Sequence, residues 1–168
     1  MAWGTLVLFK ETLYILDTNT LSQLFRFYYR DNFPSLWTKF NQLVMNGRIL
    51  STREVMRELG DGRQAELAYR WAAENEHLFP DPGTEDVLFV SRIFGVRHFQ
   101  QNLQSKKGKP RRRGADPFVI AQAKRTVGTV VTEEAKPPNG TRIPNICEHF
   151  DIPCINLQQL MDREGWVF

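Results

Sequence analysis

The stretch "YILDTNTL", Tyr14 to Leu21, joins three apolar residues to one carboxylate and a run of small polar residues. Its apolar part has the length of a buried strand, and Leu21, Leu24, Phe25 and Tyr28 then recur at helical spacing. The reading is strand followed by helix, with Asp17 at the junction. Asp at such a place satisfies free backbone N–H groups as a cap. In open α/β sheets the same place, beyond the carboxyl end of a strand, is also where ligands bind. Asp17 alone does not choose between the two.

The same alternation continues outward. Pro34 opens a helix through "SLWTKFNQLVMNG", closed by Gly47, and "RILS" (48–51) is a short strand leading into the helix "TREVMRELG". "RQAELAYRWAAENEHLF" reads as a further helix, and "TEDVLFVSRIFGVRHFQQNLQ" as another, weakened by Gly95. After a Gly, Pro and basic loop at 104–114, "DPFVIAQAK" opens a helix with Asp116 as cap and Pro117 at its first position. "GTVVT" is a β-branched strand, "IPNICEHFD" a short helix, "PCINL" a strand and "LQQLMDREG" a last helix. Strands alternating with helices predict a mostly parallel sheet covered by helices on both faces. At 168 residues the chain has the size of one domain, 1–168, able to bury a core without disulfides or a structural metal.

The charge is unevenly placed. Six of the 22 Lys and Arg residues are Lys106, Lys107, Lys109, Arg111, Arg112 and Arg113; without them 16 basic residues face 19 acids, a balance of −3. One positive segment on a mildly acidic body points to an anionic partner at that place. Cys147 and Cys154 match no zinc or C-x-x-C spacing and read as reduced, buried and inert. The apolar run of "MAWGTLVLFKE" is too short for a signal-peptide core, and no segment approaches the ~20 apolar residues that span a bilayer. A cytoplasmic protein is expected.

Acidic residues recur at the ends of the strands or on the helices that follow: Asp17, Glu58, Asp116, and the pair Glu133 and Glu134. A parallel sheet brings such points to one edge, where like charges repel unless a cation sits among them. Mg²⁺ suits oxygen donors of this kind. Ser51 and Glu54 fit an S-x-x-E capping box, which gives Glu54 a structural account. Glu58 has no such account.

The four segments "YILDTNTL", "VMREL" with Glu58, "ADPFVIAQAK" and "VVTEE" resemble, in order and approximate spacing, the acidic motifs of PIN domains, metal-dependent nucleases that include toxins of VapC type. The resemblance runs from about Thr12 to Leu160, and "IPNICEHFDIPCINLQQL" is similar to the closing helix, strand and helix of a PIN branch of bacterial and phage proteins. It implies a three-layer α/β/α sandwich with a central mostly parallel sheet. It also implies a Mg²⁺- or Mn²⁺-dependent ribonuclease, held in check as a toxin by an antitoxin. Asp17, Glu58 and Asp116 match the family's metal-binding acids. The fourth acid is Glu134, two positions after Thr132, or alternatively Glu133. Asn19 and Thr132 match supporting polar residues. Many PIN domains carry Asp where this chain has Glu134.

The basic segment beside Asp116 would then meet the phosphate backbone of RNA. Phe27 and Tyr29, off the apolar face of their helix, would serve a homodimer or antitoxin surface. Two other readings stand beside the nuclease. One is a catalytically silent PIN-like module binding RNA or protein. The other is a phosphatase of the haloacid-dehalogenase type with Asp17 as nucleophile, in which Asn19 replaces the usual second Asp.

Overall fold

The computed structural model describes residues 11–62, 65–103 and 116–168. The basic segment that carries Lys106, Lys107, Lys109, Arg111, Arg112 and Arg113, and the run before Glu11, lie outside the described residues.

Among the described residues four short strands form one parallel sheet: β1 (Tyr14–Leu16), β2 (Ile49–Leu50), β3 (Thr129–Val131) and β4 (Cys154–Ile155), in the order β2-β1-β3-β4. Tyr14 stands beside Ile49 on one side and Thr129 on the other, while Val130 pairs with Cys154. Every residue of β1 and β3 is buried. Strands covered on both faces have no solvent side to alternate toward, so "YIL" and "TVV" read as continuous apolar or β-branched runs.

Among the described residues eight α-helices connect and cover the strands: α1 (Thr18–Phe27), α2 (Pro34–Met45), α3 (Arg53–Asp61), α4 (Glu66–Glu74), α5 (Thr84–Gly95), α6 (Asp116–Thr126), α7 (Ile143–His149) and α8 (Leu157–Arg163). The result is the α/β architecture expected from the alternation, a parallel sheet with helices packed against it. One helical group, α1, α3 and α4, closes around an aromatic cluster. Trp71 of α4 lies 5.5 Å from Phe25, 5.6 Å from Phe40 and 6.0 Å from Phe79, ring centre to ring centre. Truncating a buried aromatic of this kind costs about 3–5 kcal/mol, which makes the cluster a principal source of stability. In the other group α5 packs on α6, and α6 on both β1 and β3.

Two local expectations are revised. The helix begun at Thr84 ends at Gly95, and residues Arg97–Leu103 continue as a 3-10 segment. Glycine's freedom makes that the weakest point of the pattern. The cap of α3 is Thr52, whose hydroxyl accepts from the Val55 N–H at 3.2 Å. Ser51 instead donates to the Leu16 carbonyl at 2.7 Å, tying β2 to the end of β1, so the Ser51–Glu54 box does not form. Glu54 therefore keeps a buried Oε2 without a hydrogen-bond partner; burial raises its pKa above the usual range, with Arg57 3.8 Å away acting in the opposite sense.

At the amino-terminal edge of the sheet, polar groups close on themselves. The Tyr14 hydroxyl donates to Glu164 at 2.6 Å, and the Arg48 guanidinium forks onto both oxygens of the same carboxylate, one contact at 2.8 Å. Burial, then the Glu164 hydrogen bond and charge, push the Tyr14 phenol up to about 12.

Candidate functional site

The carboxyl-terminal edge is built differently. The chain leaves β1 toward β2 on one side and returns, through α3 to α6, to β3 on the other. The strand order therefore reverses between β1 and β3, and in open parallel sheets the crevice at such a point is the usual ligand site. Asp17 directly follows β1 there, and Thr132 directly follows β3.

Asp17 is 3 % exposed. Its Oδ1 accepts from the Thr18 N–H at 2.7 Å, so it caps α1 as expected; its Oδ2 accepts from the Thr132 hydroxyl at 3.0 Å. Both donors are neutral. Burial, and next the charge of Asp116, push Asp17 up to about 7; the two hydrogen bonds oppose this and Glu134 adds to it. The cap and the crowded carboxylate are one residue, because capping uses lone pairs and leaves the charge uncompensated.

The other acids arrive by topology. Asp116 is the first residue of α6, which runs back along the strand it precedes and so begins at the carboxyl edge. Glu58 lies on α3, and its Oε2 accepts from the Thr18 hydroxyl at 2.5 Å. Thr18 thus bridges the two acids, its N–H on Asp17 and its hydroxyl on Glu58. Sequence reasoning did not single out Thr18, because a threonine after a capping Asp carries no distinguishing signal. Glu133 and Glu134 leave β3 directly. Glu133 accepts from the Leu157 N–H at 2.6 Å, holding the start of α8, and Glu134 from the Ile143 N–H at 2.9 Å, holding the start of α7. Of the two, Glu134 is the one whose charge acts on Asp17.

Asn19 and Thr132 tie these pieces together. The Asn19 carbonyl oxygen accepts from the Glu133 N–H at 3.0 Å, and the Asn19 and Thr132 side chains are 3.3 Å apart. The Thr132 hydroxyl also accepts from the Glu134 N–H at 3.2 Å. Asn19 is committed to positioning the β3 end and supplies no acid for the phosphatase reading.

Among the described residues no three His, Cys, Asp or Glu side chains form a ready-made metal cage. The donor chemistry nevertheless fits a hard cation. The groups around Asp17 are carboxylates whose charges oppose one another, and Mg²⁺ binds through one or two carboxylates with waters filling its shell.

The family model for the domain of unknown function DUF4411 matches residues 14–168. The chain belongs to the DUF4411 family. No curated protein matches this DUF4411 chain in sequence. Among solved structures it is similar to FitAcB from Neisseria gonorrhoeae at 15 % identity, covering 86 % of this chain and 97 % of that one with a TM-score of 0.51. VapBC2 from Rickettsia felis, solved bound to a DNA fragment from their promoter, matches at 14 % identity over 86 % of this chain and 98 % of that one, with a TM-score of 0.49. At these identities the likeness to FitAcB is one of fold. It agrees with the PIN-like architecture of this DUF4411 chain.

Proposed function

We propose that this chain is a Mg²⁺- or Mn²⁺-dependent ribonuclease of PIN type, acting in the cytoplasm as a toxin restrained by an antitoxin. The observation that carries the reading is Asp17: a buried carboxylate at the strand-order reversal, with the charges of Asp116 and Glu134 raising the cost of its ionisation. Folding places like charges together at a stability cost, which is the mark of a site kept for chemistry rather than for packing.

In this reading Asp17, with Asp116, Glu58 and Glu134 around it, holds the ion. The chemistry that such an ion supplies is positive charge against the scissile phosphate and a lowered pKa for an attacking water. The chain's own part is positional. Thr132 and the Thr18 N–H fix the Asp17 carboxylate in one orientation, Thr18 orients Glu58, and Asn19 fixes the turn that carries Glu133 and Glu134. A carboxylate of the set accepts the proton of the attacking water. The cations Lys106, Lys107, Lys109, Arg111, Arg112 and Arg113 directly precede Asp116 in sequence and attract the phosphate backbone without reading bases. Phe27 and Tyr29, 56 % and 59 % exposed, offer the apolar surface for an antitoxin or a second copy. Among the described residues no helix is long and apolar enough to cross a membrane.

The test is incubation of the purified protein with labelled single-stranded RNA, with and without Mn²⁺ or Mg²⁺. Cleavage that needs the ion, stops with chelator and disappears in Asp17→Asn supports the proposal. RNA binding with no cleavage under any ion overturns it in favour of the silent module.

A further inference from the structure

A second concave site lies away from the acids. Helix α1 begins at the acidic edge, and its 10 residues carry the chain about 15 Å from it. Where α1 ends, the turn from Tyr28 into α2 and the outer face of α4 enclose a cavity of about 390 Å³. That volume falls within the roughly 300–1,000 Å³ of small-molecule sites.

The floor is aromatic and fixed. Phe25 stands 4.7 Å from Trp37 and 5.5 Å from Trp71, ring centre to ring centre. The Trp37 indole N–H donates to the Tyr28 carbonyl at 2.8 Å, so the polar edge of that ring is already committed. Its face is not. The guanidinium of Arg30, an exposed residue, lies 4.8 Å from the centre of Trp37 and 5.7 Å from that of Phe25, so a planar group already rests on the floor. Tyr29 and Leu67 form exposed walls. Of the two exposed aromatics offered above to a protein partner, Tyr29 lines this cavity and Phe27 does not.

The rim carries both signs of charge. Arg30 and Arg70 face it with Asp31 and Glu74, all four exposed. Arg70 approaches Glu66 only at 4.0 Å, a surface pairing worth little. Arg70 and Glu74 are one helical turn apart on α4 and flank Trp71, which sets a cation and an acceptor on either side of one ring. These groups match the three parts of a nucleotide. Bases stack on aromatic rings and guanidinium planes and are read along their hydrogen-bonding edges. A carboxylate accepts and cannot donate, and guanine is the common base whose edge offers two adjacent N–H donors; adenine, cytosine and uracil place an acceptor beside each donor. Arginine suits the phosphate.

We propose that this cavity binds a guanine nucleotide, free or within single-stranded RNA. The base lies on the Phe25, Trp37 and Trp71 floor in the place of the Arg30 guanidinium. Glu74 accepts from its N–H edge, and Arg70 with the displaced Arg30 holds its phosphate. The inference does not depend on nuclease activity.

The experiment is isothermal titration calorimetry of the metal-free protein with guanosine monophosphate, guanosine, adenosine monophosphate and a short oligouridine carrying one guanosine. Guanosine monophosphate should bind saturably at one site, and adenosine monophosphate about tenfold or more weakly, the scale of losing hydrogen bonds to a charged group. Guanosine should bind more weakly than its monophosphate, with added salt closing that gap. Glu74→Gln should erase the preference for guanine over adenine, and Arg70→Ala the preference for the monophosphate over the nucleoside. Both positions are exposed, and circular dichroism melts of the two variants should match wild type. Tighter binding of the oligonucleotide identifies RNA as the source of the base, and tighter binding of the mononucleotide identifies a free ligand. Absence of saturable binding by guanosine monophosphate and by the oligonucleotide, or binding that both variants leave unchanged, overturns the proposal.

Discussion

Tyr14 and Asp17 stand three residues apart, at opposite ends of the same strand, and the protein treats polar groups at the two ends in opposite ways. At the Tyr14 end acids meet a base: Glu164 takes the Arg48 fork and the Tyr14 hydroxyl, with side chains of Arg48 and Glu164 only 16 % and 14 % exposed, and Glu11 lies 3.8 Å from the same guanidinium. At the Asp17 end the first acid is bound by neutral donors and pressed by further acids. The amino edge spends its polar groups on holding β1, β2 and the last helix together. The carboxyl edge brings acids to bear on Asp17, a crowding that a divalent cation would relieve.

The largest effect should come from Asp17→Asn. Metal-dependent RNA cleavage is expected to fall on the order of a hundredfold or more, the scale of losing one preorganised electrostatic group in an active site. The melting temperature of the ion-free variant at neutral pH should hold or rise, since the substitution removes a crowded charge and keeps the oxygen that caps α1. A lower melting temperature would show the acidic edge to be structural after all.

At the other edge Arg48→Met should cost about 2–3 kcal/mol in denaturant unfolding, because it leaves a largely buried carboxylate without its counter-charge. RNA cleavage at saturating ion should be unchanged. Loss of activity in step with stability would join the two edges into one unit and end the contrast.

Thr132→Val removes the hydroxyl that orients Asp17 and accepts the Glu134 N–H, so cleavage should drop about tenfold, as for other groups that orient metal-binding side chains. Glu134→Gln should share this loss and Glu133→Gln should not, as the charge of Glu134 acts on Asp17 while Glu133 holds the start of α8. Either amide keeps an oxygen for its helix N–H, so circular dichroism melts of the two should match.

The smallest effect concerns pH. Burial raises the Glu164 pKa, but the Arg48 and Tyr14 hydrogen bonds and the Arg48 charge outweigh it and hold the acid below its ordinary value. The folded protein then binds fewer protons at Glu164 than the unfolded chain. That contribution to stability is fully present above the unfolded carboxylate value and is lost as pH falls through the lower folded one. Unfolding free energy measured from neutral to acid pH should therefore fall less steeply in Glu164→Gln.

Much of this was legible in residues that act locally. The apolar runs of β1 and β3, the helical spacing after Asp17, the Pro34 start and the Gly47 stop all formed where their patterns predict. Gly47 sits at φ 68°, a conformation that a side chain would strain. Ambiguity began where two neighbours could do one job. Ser51 and Thr52 are both good caps, and only the nearness of the Leu16 carbonyl sends Ser51 to the sheet and leaves the cap to Thr52.

The sequence by itself determined where strands and helices alternate and which acids lie near their ends, because those properties depend on periodicity and on backbone groups a few residues away. The tertiary structure decided that Glu58 meets Thr18, that Glu164 closes on Tyr14 across the length of the chain, and that Thr132 meets Asp17. Those are contacts between side chains on separate elements. They follow from strand order and helix packing, which fix distances that no local pattern of residues encodes.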